Sequence, residues 1–319
     1  MRSESVDLAI IGGGPAGLSA AREAARRGVK RLVLFEREAQ AGGAVRHCGH
    51  TGFGMRDFAR LWTGPRYAAA LREAADGLDI RLSHAVTALE PGGRLTVSTP
   101  DGPLSVEARQ VILATGIRET PRSARLTSGG RPFGILTTGA LQRFVYLHHR
   151  LPCRHPVVVG TELVAFSTLL TLRHLGARPV ALLGEAPRLE SPALVGLGAR
   201  LIFGARVLTG ATIDAILGDD RVEGVTVTAG GQTETLACDG VVFSGRWVPE
   251  ATLMRLHPLG VDKATGGPRV DQRLRSGDPA LLAAGNVRFS VRSSGPCAIE
   301  GRRAGAEAAA HLNRDRGQR

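Results

Sequence analysis

The chain is short of cysteine, lysine and aromatic residues, and each shortage narrows what it can be. Its four cysteines, Cys48, Cys153, Cys238 and Cys297, lie far apart and form no CxxC, which removes the simplest dithiol chemistry. Lys30 and Lys263 are the only lysines among 41 basic residues, so the formal charge of +12 is almost all arginine, scattered along the chain. Aromatics make up 4% of the chain and interleave with no basic run, so the charge does not read as a nucleic-acid surface. A bias in codon composition accounts for it better, although the positive field can help attract an acidic substrate or partner. No apolar run reaches the length of a membrane span. The first strand is expected within six residues of the start, so no signal peptide and a cytoplasmic location are expected. At 319 residues, 43% hydrophobic and 22% charged, the chain suits two globular domains with full cores.

What is present begins with Val6 to Glu36. The apolar run Leu8 to Ile11 enters Gly12-Gly13-Gly14-Pro15-Ala16-Gly17, a helix-compatible stretch runs to Arg27, and a second apolar run, Leu32 to Phe35, stops at Glu36 and Arg37. This is strand, tight turn, helix, strand and acid. Gly12 permits the turn, Gly14 lets backbone approach a pyrophosphate, and Gly17 lets helix and strand pack closely. The helix N-terminus, from Pro15 and Ala16, turns unpaired N–H groups and a positive dipole end toward phosphate. Glu36 sits where a carboxylate accepts from a ribose diol. Dinucleotide binding follows from the pieces standing in register, since a bare GxGxxG is also found in ordinary glycine-rich loops.

Downstream, residues 37–55 read as an ordered loop around a ligand, with Gly42 and Gly43 letting backbone pass close to it. A helix is expected over Pro65 to Gly77, short strands over Ile80 to Ser83, Ala85 to Leu89, Leu95 to Ser98 and Leu104 to Ala108, and a buried strand over Gln110 to Gly116. Ile117 to Arg131 reads as a linker. A helix over Thr138 to His148 precedes a second strand-turn-helix-strand, from Pro156 through Gly160 and His174 to Leu183. An apolar segment at Leu201 to Phe203, a hairpin within Thr212 to Leu236, strands at Gly240 to Ser244 and Leu281 to Asn286, and a helix from about Pro296 to Leu312 complete the chain. The fold class expected is α/β, two Rossmann-like three-layer domains with the second inserted into the first: 1–122 with 246–319, interrupted by 123–245.

With the GxGxxG start, Ala114-Thr115-Gly116 closing a mid-chain strand, a second Rossmann-like unit and Ala284-Gly285-Asn286 before a final helix, the chain resembles the pyridine nucleotide-disulfide oxidoreductase superfamily. It is similar to the compact, thioredoxin reductase-like members, and the likeness covers nearly the whole chain. The stretch VILATGIRETP is similar to the FAD subunits of heteromeric amine, opine and amino-acid dehydrogenases, the sarcosine oxidase alpha and hydrogen cyanide synthase type. The resemblance implies that the first motif takes the ADP half of FAD, that Ala114, Thr115 and Gly116 pass near the cofactor, and that Gly285 and Asn286 lie by the ribityl phosphate. Asn286 departs from the family's acid, yet an amide still makes hydrogen bonds to a ribityl hydroxyl. The final helix, near Cys297 and Ala298, would aim its N-terminus at the flavin pyrimidine ring and stabilise negative charge there.

The second unit is degenerate. Gly160-Thr161-Glu162-Leu163-Val164-Ala165 keeps the first glycine and a final small residue but puts Glu162 where a pyrophosphate needs glycine. Its Cβ obstructs close approach, and its charge opposes the phosphates by about 4 kcal/mol at ~4 Å and an effective dielectric near 20. NAD(P) is therefore expected to bind poorly or not at all, unless Glu162 turns outward.

Arg46-His47-Cys48-Gly49-His50 is the most reactive-looking cluster. It offers a proton-handling His47 or His50 near the flavin, a substrate-carboxylate contact from Arg46, or merely a structural histidine; a metal site is not expected, since a fourth ligand is missing. Cys297 is a candidate low-pKa thiol at a helix N-terminus, against the plainer role of a small buried residue. The function these readings imply is FAD-dependent oxidation of a small-molecule substrate, as one subunit beside a partner subunit. The rivals are a free-standing NAD(P)H-dependent flavin reductase and a non-catalytic FAD-binding scaffold.

Overall fold

A computed structural model of the chain describes residues 2–191, 199–289 and 291–317. It separates into two compact units. Unit 1 holds residues 1–46, 51–118 and 248–319, and unit 2 holds 47–50 and 119–247. The expected second-domain span 123–245 includes residues 192–198, which lie outside the described residues.

In unit 1 a seven-stranded sheet runs in the order Ile80–Arg81, Leu32–Phe35, Arg2–Ile11, Gly102–Leu113, Arg94–Thr99, Ala85–Glu90, and Leu281–Ala283 also pairs with Gly102–Leu113. The strands around the glycine loop are parallel, with Ile11 opposite Phe35 and Leu113, and all four residues of Leu32–Phe35 are buried. Continuous burial marks strands covered on both faces, which is why they read as apolar runs rather than alternations. The two strands expected over Leu104 to Ala108 and Gln110 to Gly116 form one strand, Gly102–Leu113. It stays continuous because its first half pairs antiparallel with Arg94–Thr99 and its last three residues pair parallel with Leu281–Ala283.

Helix Pro15–Arg26 follows the glycine loop, with proline in its first turn where a missing N–H costs nothing. The final helix starts two residues earlier than expected and runs on, over Ser294–Gly317. It packs on Pro15–Arg26 through glycines: a Cβ at Gly301 would stand 2.0 Å from the carbonyl oxygen of Ala16, and one at Gly305 2.3 Å from that of Ala20. The loop after Glu36 is more ordered than a plain wrap, with a 3-10 turn at Gly43–His47, a strand at Thr51–Phe53 and a short helix at Met55–Phe58. The expected helix over Pro65 to Gly77 spans Gly64–Glu73.

In unit 2 five parallel strands run in the order Ile135–Thr137, Gly240–Phe243, Pro156–Val159, Ala181–Gly184, Arg206–Thr209. Helices Thr138–His148 and Leu163–His174 pack together, and an antiparallel three-stranded sheet follows, Ala211–Leu217, Gly224–Ala229 and Gln232–Ala237. Leu201 to Phe203 lies at the end of a helical segment. Among the described residues no helix is long and apolar enough to cross a membrane.

Candidate functional site

The glycine loop of unit 1 is held from three sides. Gly12, at φ +106°, donates to the Phe35 carbonyl at 2.9 Å, while the Ala114 amide donates to Ile11 at 2.8 Å. A Cβ on Gly12 would stand 2.6 Å from the Ala114 oxygen, and one on Gly17 only 1.8 Å from the Gly12 oxygen. The first and last glycines are thus demanded by backbone contact. Gly14 is different. It is the N-cap, extended at φ −79°, and a Cβ there would meet nothing nearer than the Gly43 Cα at 3.9 Å. Space in front of Gly14 is what a dinucleotide needs, because the first-turn amides of Ala16 and Gly17 open onto it with no capping side chain.

Glu36 is buried, and its carboxylate accepts from the Gly13 amide at 2.7 Å and the Glu38 amide at 2.9 Å. Two backbone donors fix the acid beside the loop, and Arg37 next to it is exposed. Gly42 donates to the Gly13 carbonyl at 2.7 Å, and a Cβ on Gly43, at φ +64°, would lie 2.9 Å from the Gly14 Cα. The Gly42-Gly43 loop therefore lies directly on the first loop. Arg46 ion-pairs with Glu38 and donates to Gln40 at 3.1 Å, so it ties down residues 38–40 rather than standing out as a substrate contact.

Thr115 donates to the Glu250 carbonyl at 2.6 Å and Glu250 donates to Gly116 at 2.9 Å, which fixes the Ala114-Thr115-Gly116 turn. Gly285, at φ +78°, presses on Ala16, where a Cβ would meet the Ala16 methyl at 2.9 Å, and its amide donates to buried Glu300 at 2.7 Å. The late segment thus reaches the start of the first helix. Asn286 spends its amide locally: Nδ2 donates to the Arg292 carbonyl and Oδ1 accepts the Arg292 amide, both at 2.9 Å. Cys297 is buried in the first turn of the final helix with its thiol 3.3 Å from Asn286 Oδ1, and burial pushes the thiol up to about 11, opposite to the lowering expected of it. Desolvation outweighs the helix dipole here. Ala298 beside it is fully buried.

His47 and Cys48 do not group with the flanking loop but with unit 2. His47 Nδ1 lies 3.4 Å and Cys48 Sγ 3.6 Å from Gln142 Oε1, and Gln142 Nε2 donates to Ser167 at 2.8 Å. Burial, with the charge of Glu119, pushes the Cys48 thiol up to about 12. Glu119 accepts the Gly139 amide at 2.6 Å, and burial raises its carboxyl above the usual range. His50 follows in the same segment, half-buried. Among the described residues no group of three or more His, Cys, Asp or Glu is placed to hold a metal ion. Glu119 and Gln142 carry no pattern in the sequence that marks them. Gly301 and Gly305 do, through the small-xxx-small spacing of a close helix contact.

The profile of the family described as pyridine nucleotide-disulphide oxidoreductase matches residues 6–310. Sarcosine oxidase subunit alpha of Rhizobium meliloti is 29% identical over 259 residues, covering 76% of this chain but 24% of that protein, so the chain spans about a quarter of that relative's length. Thioredoxin reductase of Treponema pallidum is 27% identical, over 88% of this chain and 89% of its own. In fold, the chain is similar to Lactococcus lactis thioredoxin reductase, with a TM-score of 0.81 at 22% identity over 97% of this chain and 99% of the other. L-proline dehydrogenase of P. horikoshii superposes with a TM-score of 0.76 at 19% identity, over 99% of this chain and 56% of the other.

Proposed function

Because this chain belongs to the pyridine nucleotide-disulphide oxidoreductase family, whose members bind FAD, we propose that unit 1 holds FAD and that the chain oxidises a small-molecule substrate as the flavin subunit of an amine or amino-acid dehydrogenase. The observation that carries this reading is the contrast at the two N-caps: Gly14 leaves its helix N-terminus open, whereas Glu162 fills the matching place in unit 2. The residues of unit 1 fit the cofactor. The Gly14 to Gly17 amides take the pyrophosphate, Glu36 takes the ribose diol, and the Gly42-Gly43 backbone, Ala114 to Gly116 and Gly285 close around the rest. When bound, FAD supplies a two-electron acceptor. His47 and His50 are the proposed proton handlers, with the His47 ring oriented through Gln142. A chain with an obstructed nicotinamide site passes its electrons to a partner subunit or another acceptor.

The purified protein is expected to show the two flavin bands in the near-ultraviolet and blue, and to bleach with dithionite but not with NADH or NADPH under anaerobic conditions. Absence of the bands even after added FAD would overturn the cofactor assignment. Rapid bleaching by either nicotinamide would instead establish a free-standing NAD(P)H-dependent reductase, a reading favoured by the nearly full-length match to a thioredoxin reductase.

A further inference from the structure

The second glycine loop keeps the backbone of the first but carries Thr161, Glu162 and Ala165 where the first has Gly13, Gly14 and Gly17. Gly160, at φ +136°, donates to the Leu183 carbonyl at 2.8 Å, as Gly12 does to Phe35, and the Ser244 amide donates to Val159 at 2.7 Å, as Ala114 does to Ile11. Ala165, fully buried, stands where Gly17 stands. The N-caps match in backbone: φ −79°, ψ 170° at Glu162 and φ −79°, ψ −174° at Gly14. In the second strand Leu183 stands at the place of Phe35, so Gly184 takes the place of Glu36, and the acid that unit 1 holds beside its loop has no counterpart there.

What differs is where the Glu162 side chain goes. It does not turn outward. Its carboxylate accepts the Ser244 hydroxyl, and it folds back over the loop, with Oε2 2.7 Å from the Cβ position of Gly160 and the carboxyl carbon 3.2 Å from that of Gly245. The Arg125 guanidinium caps the same wall, donating to the Ser244 and Gly245 carbonyls at 2.7 and 2.8 Å. Thr161, in place of Gly13, is fully buried against Gly184.

We infer that Glu162 is a built-in occupant of the pyrophosphate place in unit 2, and that this one side chain separates a closed site from one that admits the pyrophosphate of a nicotinamide dinucleotide. With Gly184 at the place of Glu36, no acid at that position favours a 2′-hydroxyl over a 2′-phosphate. The inference deepens the reading of unit 2 given above and is independent of the flavin in unit 1.

Calorimetric titration of the full chain with NADH and NADPH tests it, with flavin absorbance recorded on the same samples so that loss of FAD is seen separately. Wild type is expected to bind neither below millimolar concentration. Glu162→Gly is expected to bind NADH or NADPH at least about tenfold tighter than wild type, toward the roughly thousandfold that removing like charges ~4 Å apart allows. Glu162→Ala keeps an ordinary N-cap backbone and is expected to show a smaller gain in the same direction. Micromolar NADH binding by wild type would overturn the inference, as would two variants that keep the wild-type melting temperature yet gain no affinity.

Discussion

The two glycine loops of this molecule share a backbone and differ in what stands at the N-cap. In unit 1 a bare Gly14 leaves open space before the first turn, and in unit 2 Glu162 stands at that place and folds its carboxylate back onto Ser244, Gly160 and Gly245. The strand, the positive-φ glycine and the cross-strand hydrogen bonds recur in both. A nucleotide fold can therefore persist after its nucleotide site has closed, because the fold rests on strand burial and backbone pairing while the site rests on the absence of one side chain.

Exchanging that side chain is the strongest way to break the comparison. Gly14→Glu places the residue of unit 2 into unit 1 at an extended backbone position with room for a Cβ, so the fold should hold while flavin affinity falls about a thousandfold, near 4 kcal/mol. Spectra and melting curves of the purified variant check both halves of that statement. Gly17→Ala should act through packing instead. Its methyl would stand 1.8 Å from the Gly12 oxygen, so a loss of about 3 kcal/mol or more in stability is expected by chemical denaturation, whereas Ala165→Gly in unit 2 should cost only about 1 kcal/mol.

Glu36→Gln sharpens the role of the acid. The amide can still accept the Gly13 N–H but lacks the charge that strengthens a ribose contact, so FAD should bind about tenfold to a hundredfold more weakly in a fluorescence titration. The smallest effect is expected at Glu119. Burial raises its folded-state pKa, so its contribution to stability is fully present below the ordinary carboxylate range and is lost as pH rises through the raised value. Melting temperatures of Glu119→Gln should exceed wild type at pH 7 and converge with it at pH 4; a constant difference across that range would show that the carboxyl is not the source.

Much of this was legible in the chain because its signals are local. Leu8 to Glu36 reads correctly as strand, turn, helix, strand and acid because burial on both faces makes continuous apolar runs and because glycine is required wherever backbone touches backbone. Thr138 to His148 is a helix at the residues expected. Gly102–Leu113 reads as two strands since its partners change along its length, which no local pattern records. Cys297 is left between two readings for a related reason: sequence reveals the helix N-terminus but not the depth of burial, and burial favours the small buried residue over the low-pKa thiol. The amide of Asn286 is engaged by Arg292, six residues on, which its sequence context does not reveal.

The sequence by itself determined the α/β order, the open first loop and the presence of Glu162 where the first loop has Gly14, since each depends on residue type at fixed spacing along one or two elements. Only the tertiary structure decided that Glu162 turns inward onto Ser244 and Gly245, 82 and 83 residues away, and that His47 and Cys48 belong with Gln142 rather than with the loop that carries them. Those outcomes depend on which side chains meet across distant parts of the chain, where desolvation and hydrogen-bond partners, rather than propensity, set the lowest free energy.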